Sequence, residues 1–379
     1  MASTETDSAL YLDRAATVDR FLNEIADVKE LALDTEGASF HRFLDRIYLI
    51  QISTRERSAI VDPLPIGAPA RLGALLESKS VEVVFHDADY DLRLLHQDYG
   101  WHVANIFDTR IASQLLGIKS FGLAALLEQF FDVKLDKKHQ RADWSMRPLT
   151  PDMLEYAAQD TRYLLQLKDH MKSELERRGR LHWAQEEFSR LEGTRWEAEE
   201  SMEGFLRLKG ARELTRLELA VLRELVNWRD RVAAQLDRAT FRVMGNEVLF
   251  ELSQRPPQNV AALGAIRGMP KGMLDRAGAD IIAAIRRGLE VPEAELPRFP
   301  RPQRWNKDQE FDARVGRLKA VRDEVAHKLE LDPGVLCSRE RLENIARSGA
   351  KTIEELEAVP DLRRWQIEVM GPGFIAALA

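Results

Sequence analysis

The stretch LALDTEG, residues 31–37, reads as a β-strand that turns acidic halfway along. Side chains alternate across a strand with period two. Leu31, Leu33 and Thr35 therefore share one face, and Ala32, Asp34 and Glu36 share the other. Two carboxylates on one face stand about 7 Å apart. They repel each other and are poor strand formers, so strand propensity does not account for them.

Outward from this strand, the pattern predicts further strands at 47–53 (IYLIQIS), 58–62 and 81–85 (VEVVF), with the first at 30–34. Helices are expected at 18–26, 70–77, 91–98, 111–116, 122–131 and 152–177. Three strands, a helix, then another strand and helix predict a mixed α/β sheet. Beyond residue 170 no strand pattern returns. Residues 186–203 carry Glu186, Glu187, Glu192, Glu197, Glu199, Glu200 and Glu203 and read as a solvated helical connector closing a first domain, 1–205. Two small all-α domains are expected at 210–290 and 308–379, joined by a Pro/Arg-rich linker, 291–307. Each opens on a long Arg- and Glu-rich helix, LELAVLRELVNWRDRVAAQL and RVGRLKAVRDEVAHKL, the pattern of a diverged duplication.

Composition bounds the function. The 379 residues allow two or three domains. Cys337 is the single cysteine, which excludes an intrachain disulfide and a thiolate zinc cluster and fits a reducing cytoplasm. No apolar run approaches the ~20 residues of a membrane span, and the N-terminus does not read as a signal peptide. A net charge of −7 does not by itself mark a nucleic-acid binder.

Two further acidic features join the first. In TPDMLEYAAQDTRYLLQLK, 150–168, Thr150 is placed to cap a helix that starts at Pro151. Its buried arc holds Met153, Tyr156, Ala157, Asp160, Leu164 and Leu167, opposite Glu155, Gln159, Arg162 and Gln166. A carboxylate in such an arc must be paired, protonated or bound to a metal. In VEVVFHDADYDLRLLHQDYG, 81–100, Asp87, Asp89 and Asp91 crowd a strand–helix junction. One of them is expected to cap the helix, and the residues alone do not say which faces a site. Carboxylate oxygens suit Mg²⁺ or Mn²⁺, and four of them around two ions form the clamp used for phosphodiester cleavage.

At this point the residues resemble a known family. D-x-E (Asp34, Glu36), H-x4-D-L-x-x-L (His86, Asp91, Leu92, Leu95) and Y-x3-D (Tyr156, Asp160) are similar to the three exonuclease motifs of the DEDD superfamily, tyrosine subclass. QRADWSMRPLTPDMLEYAAQDTRYLL, 140–165, resembles the third-motif region of ribonuclease D, and the likeness runs over about residues 20–175. The two helical blocks resemble HRDC domains. The resemblance implies a ribonuclease H-like mixed sheet and a metal-dependent 3′→5′ exoribonuclease that releases 5′-mononucleotides, tRNA precursors with 3′ extensions being its expected substrate. It implies that Asp34, Glu36, Asp91 and Asp160 hold two divalent ions, Mg²⁺ or Mn²⁺, and that Tyr156 orients the attacking water. Asp91 is chosen from its neighbours by its place before L-x-x-L. A DNA exonuclease of the same superfamily and a non-enzymatic RNA-binding scaffold are the alternatives.

For RNA contacts, the loop LDKKHQRADWSMRPL, 135–149, offers Lys137, Lys138, Gln140, Trp144 and Arg147. Cations meet phosphates, and an aromatic ring stacks on a base or packs the loop. His86 joins this set, with core packing as its alternative, and Asp108 in IFDTR reads as a structural cap. Residues 207–242 hold nine Lys or Arg against five Asp or Glu, a local charge of +4 suited to guiding RNA. A monomer is expected.

Overall fold

The computed structural model describes residues 9–136, 138–197, 204–269, 271–300 and 309–379. Two compact units are formed: Met1–Gly37 with Ile47–Trp196 and Trp305–Ala379, and Ala38–Arg46 with Glu197–Arg304.

The first unit is built on six strands: β1 (Leu10–Leu12), β2 (Glu30–Glu36), β3 (Leu49–Ser53), β4 (Ser58–Val61), β5 (Glu82–Phe85) and β6 (Ile106–Asp108). Their order is β1-β4-β3-β2-β5-β6. β2 runs antiparallel to β3 and parallel to β5, so the sheet is mixed as expected. The outer strands β1 and β6 escaped the sequence pattern because each has three residues, too few to display a period. Around the sheet lie α1 (Ala15–Glu24), α2 (Ala70–Leu76), α3 (Asp89–Tyr99), α4 (Thr109–Leu115), α5 (Leu123–Phe131), α6 (Pro151–Arg162), α7 (Leu164–Arg177) and α8 (Leu181–Leu191).

β2 is buried on both faces. Leu31 and Leu33 join one core with Ile50, Ile52, Val83 and Phe85. Ala32 joins the other with Val84, Phe107 and the apolar sides of α4, α7 and α8. Asp34 and Glu36 thus continue the Ala32 face, at the end of β2 that runs past its last pairing with β5 at Ala32–Val84. Crevices beyond the carboxyl ends of strands are where α/β sheets bind ligands.

The helix expected as one piece over 152–177 is two. Tyr163, with φ −108° and ψ 0°, breaks it between α6 and α7. The break gives each half a different task. α6 lies on β2, β3 and β4, tied by Thr161 Oγ1 to Ser53 Oγ at 2.7 Å. α7 lies on β2 and β5 and buries Lys168 between Glu30 and Glu82, the latter at 3.0 Å, at the opposite end of β2.

The second unit holds α9 (Arg216–Leu236), α10 (Thr240–Val243), α11 (Asn246–Gln254), α12 (Val260–Leu263) and α13 (Lys271–Leu289). Thr215 and Glu218 close a reciprocal capping box on α9. The segment 38–46, which leaves β2 just after Glu36, is part of this unit. Phe40 and Phe241 meet at 4.9 Å, Arg242 lies over both rings, and Ala239 N donates to His41 O at 3.1 Å. Some of the local positive charge is spent internally. Arg229 is buried and donates to Asp230 and Asn246, and Arg216 donates to the Glu293 and Leu296 carbonyls. These last bonds fasten the start of the Pro-rich stretch, while Arg301 and Arg304 lie outside the described residues.

The last helices are α14 (Gln309–Leu329), α15 (Pro333–Leu336), α16 (Arg339–Ser348), α17 (Ile353–Glu357) and α18 (Arg364–Leu378). They share a core with α4, α7 and α8 of the sheet domain. The solvated connector expected from residue 186 onward is instead an interface at its start. Glu186 accepts from the Arg364 and Trp365 amides at 2.8 and 3.1 Å, capping α18, and Glu187 accepts from Trp365 Nε1 at 2.8 Å and from Arg363. Trp183 stacks on Trp365 at 5.1 Å. Gly117, at φ +75°, lets the chain after α4 press against the Glu330 carbonyl where a Cβ would collide. Glu199, Glu200 and Glu203 lie outside the described residues. No helix of the described residues is long and apolar enough to cross a membrane.

Candidate active site

Asp34 and Glu36 from β2 and Asp160 from α6 bring one carboxylate oxygen each to within 4.8 Å of one another. Asp91 enters from the first turn of α3. Its Oδ1 accepts from the Thr35 amide at 3.0 Å and from Thr35 Oγ1 at 2.5 Å, so the residue between Asp34 and Glu36 holds the fourth carboxylate in place. All of the motif carboxylates are thereby assembled from three elements distant in sequence.

The expectation that one of Asp87, Asp89 and Asp91 caps α3 is not met. The N-cap position is Ala88, without a side-chain cap. Its amide is taken by Asp108, which also caps α4 through the Arg110 and Ile111 amides. Asp87, at φ +69°, pairs with Arg110, and Asp89 pairs with Arg93 at 2.8 Å. Asp91 alone turns inward, buried to 5% exposure.

The electrostatics are those of a site lacking counter-charge. Burial raises the pKa of Asp34, Glu36 and Asp91 well above the ordinary carboxylate range, and the charges of neighbouring carboxylates add to it. Asp160 is pushed up to about 7, by burial first and by Asp91 second. Among the described residues no Lys or Arg acts on any of the four. Such a set suits divalent cations, whose hard charge matches oxygen donors and removes the repulsion.

Tyr156 lies one turn before Asp160, half-buried on the same side of α6. Burial and the charges of Asp160, Glu36 and Asp34 raise its pKa, so it keeps its proton. Its ring is wedged between His139, edge-on at 5.9 Å, and Trp144, tilted at 5.9 Å.

The residues expected to meet RNA divide. Trp144 is 1% exposed, so it packs behind Tyr156 and has no face for a base. Arg147 spends its guanidinium on Asp62 and on the carbonyls of Trp144, Met146 and Tyr48, which anchors the loop and leaves it no phosphate to hold. His86 is held neutral by burial, its pKa lowered to about 4. Its Nδ1 meets Thr109 Oγ1 at 2.9 Å, and because that hydroxyl donates to Phe85 O, the histidine is the donor. Lys138 and Gln140 are exposed, with Lys138 3.3 Å from Asp152. Lys137 lies outside the described residues.

Two side chains at the site were passed over by motif reading. Thr35 is the unspecified letter of D-x-E. Gln51 lies opposite Asp34 in the β2–β3 register, fully buried, with Nε2 3.5 Å from Glu36 Oε1. Its signal was the one amide in the apolar run IYLIQIS.

Comparison with known proteins agrees with this geometry. The 3′–5′ exonuclease family model matches residues 11–176, and the HRDC domain model matches 218–285 and again 311–378. Ribonuclease D of Nitrobacter hamburgensis is 28% identical over 355 residues, covering 93% of this chain and 90% of the relative. Among solved structures, a protein from Bifidobacterium adolescentis superposes with a TM-score of 0.85 at 25% identity, covering 100% of this chain and 99% of the other. RNase D of Escherichia coli, an exoribonuclease involved in structured RNA processing, superposes with a TM-score of 0.72 at 25% identity over 98% of each chain. With an exonuclease sheet domain, two HRDC matches and end-to-end relatives of one kind, the chain belongs to the ribonuclease D family.

Proposed function

We propose that this 3′→5′ exonuclease acts on RNA, trimming 3′ extensions of structured RNAs, tRNA precursors above all, to 5′-mononucleotides. Asp34, Glu36, Asp91 and Asp160 are the residues that hold two divalent ions, Mg²⁺ or Mn²⁺. The observation that carries this is the carboxylate cluster itself, half-buried, mutually repelling and without a cationic side chain among the described residues. Bound ions of this kind acidify a water and neutralise the departing oxygen. The chain's own groups do the rest. Thr35 fixes Asp91. Tyr156, wedged between two rings, offers a protonated phenol that positions the water without deprotonating it.

Support for RNA comes from the ribonuclease D relatives and from exposed groups beside the site. Lys138 and Gln140 are exposed in the loop that leads into the catalytic helix. Cation–phosphate contact is a usual means of holding a single strand. The test is digestion of 5′-labelled, 3′-extended tRNA and of matched RNA and DNA oligomers, with EDTA, Mg²⁺ or Mn²⁺, resolved at single nucleotides. Stepwise RNA shortening that needs the metal is expected. Cleavage that persists in a metal-free preparation, or that prefers DNA, would refute the reading.

A further inference from the structure

Gln51 is a polar side chain that the fold has no need of. Its neighbours in β3, Leu49, Ile50 and Ile52, are buried apolar residues, and Gln51 itself is 0% exposed. Its register opposite Asp34 puts it on the carboxylate face of the sheet. Ionised Glu36 accepts hydrogen bonds only, so the amide must turn its NH₂ toward Glu36, and the 3.5 Å contact to Oε1 agrees. That leaves Gln51 Oε1 pointing elsewhere, buried and without a partner among the described residues. A buried acceptor is costly unless a donor reaches it. The surrounding carboxylates, once ionised, donate nothing. Water bound to a divalent cation is a strengthened donor.

The geometry points to Gln51 as a positioning residue for metal: Nε2 steadies Glu36, and Oε1 accepts a hydrogen bond from a water on the ion that Asp34 and Glu36 hold. This rests on the reading of the carboxylates as metal ligands. A neutral amide is the chemistry required. It adds an acceptor to a site that already carries four negative groups without adding a fifth, and groups that orient ligands in this way are typically worth 10–100-fold in metal affinity.

Gln51→Met keeps the length and removes both polar atoms. Its test uses the full chain at pH 8, with Mn²⁺ binding measured by calorimetry without RNA, the melting temperature taken in EDTA, and single-turnover rates on an RNA oligomer. The expected result has opposite signs. The metal-free melting temperature stays level or rises, because an orphaned acceptor is gone, while Mn²⁺ affinity falls about 10-fold or more and the rate falls without a change in RNA affinity. Gln51→Asn, which withdraws the amide by one methylene, is expected to weaken Mn²⁺ in the same direction. Ser53→Ala on the same strand face, which removes the bond to Thr161, is the control: it lowers the melting temperature and leaves Mn²⁺ affinity unchanged. Wild-type Mn²⁺ affinity in Gln51→Met and Gln51→Asn overturns the proposal, as does a loss of affinity that merely tracks lost stability. If the wild-type chain itself takes up no Mn²⁺, the metal reading of the carboxylates fails and this inference falls with it.

Discussion

Asp160→Asn separates stability from activity. In the metal-free protein the Asp160 carboxyl is held near 7, against an ordinary 3.8. A folded-state pKa above the unfolded one means that the folded chain binds the proton more tightly. The associated stability is complete below about pH 4 and is lost as pH rises to about 7. A carboxyl moved from 3.8 to about 7 corresponds to about 4 kcal/mol. Asp160 is partly open to solvent, so roughly half of that is the reasonable expectation. Asp160→Asn removes the term. In EDTA at pH 8 the variant should therefore melt higher than wild type by several degrees, since each kcal/mol moves the midpoint of a domain this size by about 2–4 °C. At pH 5 the gap should shrink to roughly 40% of that, because only about one of the three pH units between 3.8 and 7 has been crossed. Saturating Mg²⁺ should reverse the order, because ligand binding stabilises only the chain that binds it. The assay is a set of thermal melts at pH 5, 6, 7 and 8 in EDTA and in Mg²⁺, with exonuclease rates on the same samples. A variant that melts lower than wild type in EDTA at pH 8 would show that Asp160 is stabilised by a partner rather than repelled, and the electrostatic account of the site would be wrong.

Other changes test other parts. Tyr156→Phe should cut the single-turnover rate by about 100-fold while calorimetric Mn²⁺ affinity stays near wild type; equal loss of both would make Tyr156 a structural member of the site. Trp144→Ala leaves a cavity behind Tyr156 and should cost about 3–5 kcal/mol of stability, read by urea unfolding; a small effect would mean that the loop is not anchored there. Removing the residues after 304 should expose Trp183 and unpair Glu186 and Glu187, and the shortened chain should aggregate on heating at lower temperature than the full one.

What the sequence determined by itself is whatever local pattern encodes. β2 to β5, the Thr150 cap and the α/β class follow from periodicity and capping residues close together in the chain. The paired helical blocks are legible for the same reason, each being a run of amphipathic helices long enough to show its stripe. The acidic residues were visible as anomalies, carboxylates where a strand or a buried helix face should be apolar. Tertiary structure alone decided what they meet. Nothing near Asp91 in the chain says that Thr35, 56 residues away, supplies its two hydrogen bonds. Nor does anything near Trp144 or Arg147 say that the ring lies behind Tyr156 and the guanidinium on Asp62. Loop cations look alike in sequence whether they bind a phosphate or a buried carboxylate. The same holds for Glu186 and Glu187, read as a solvated run: Glu186 caps a helix that begins 178 residues later, and Glu187 accepts from the Trp365 indole and from Arg363. Periodicity reports which face of an element is apolar; it carries no information about which distant polar group will arrive on the other face, because that is settled only when the layers pack.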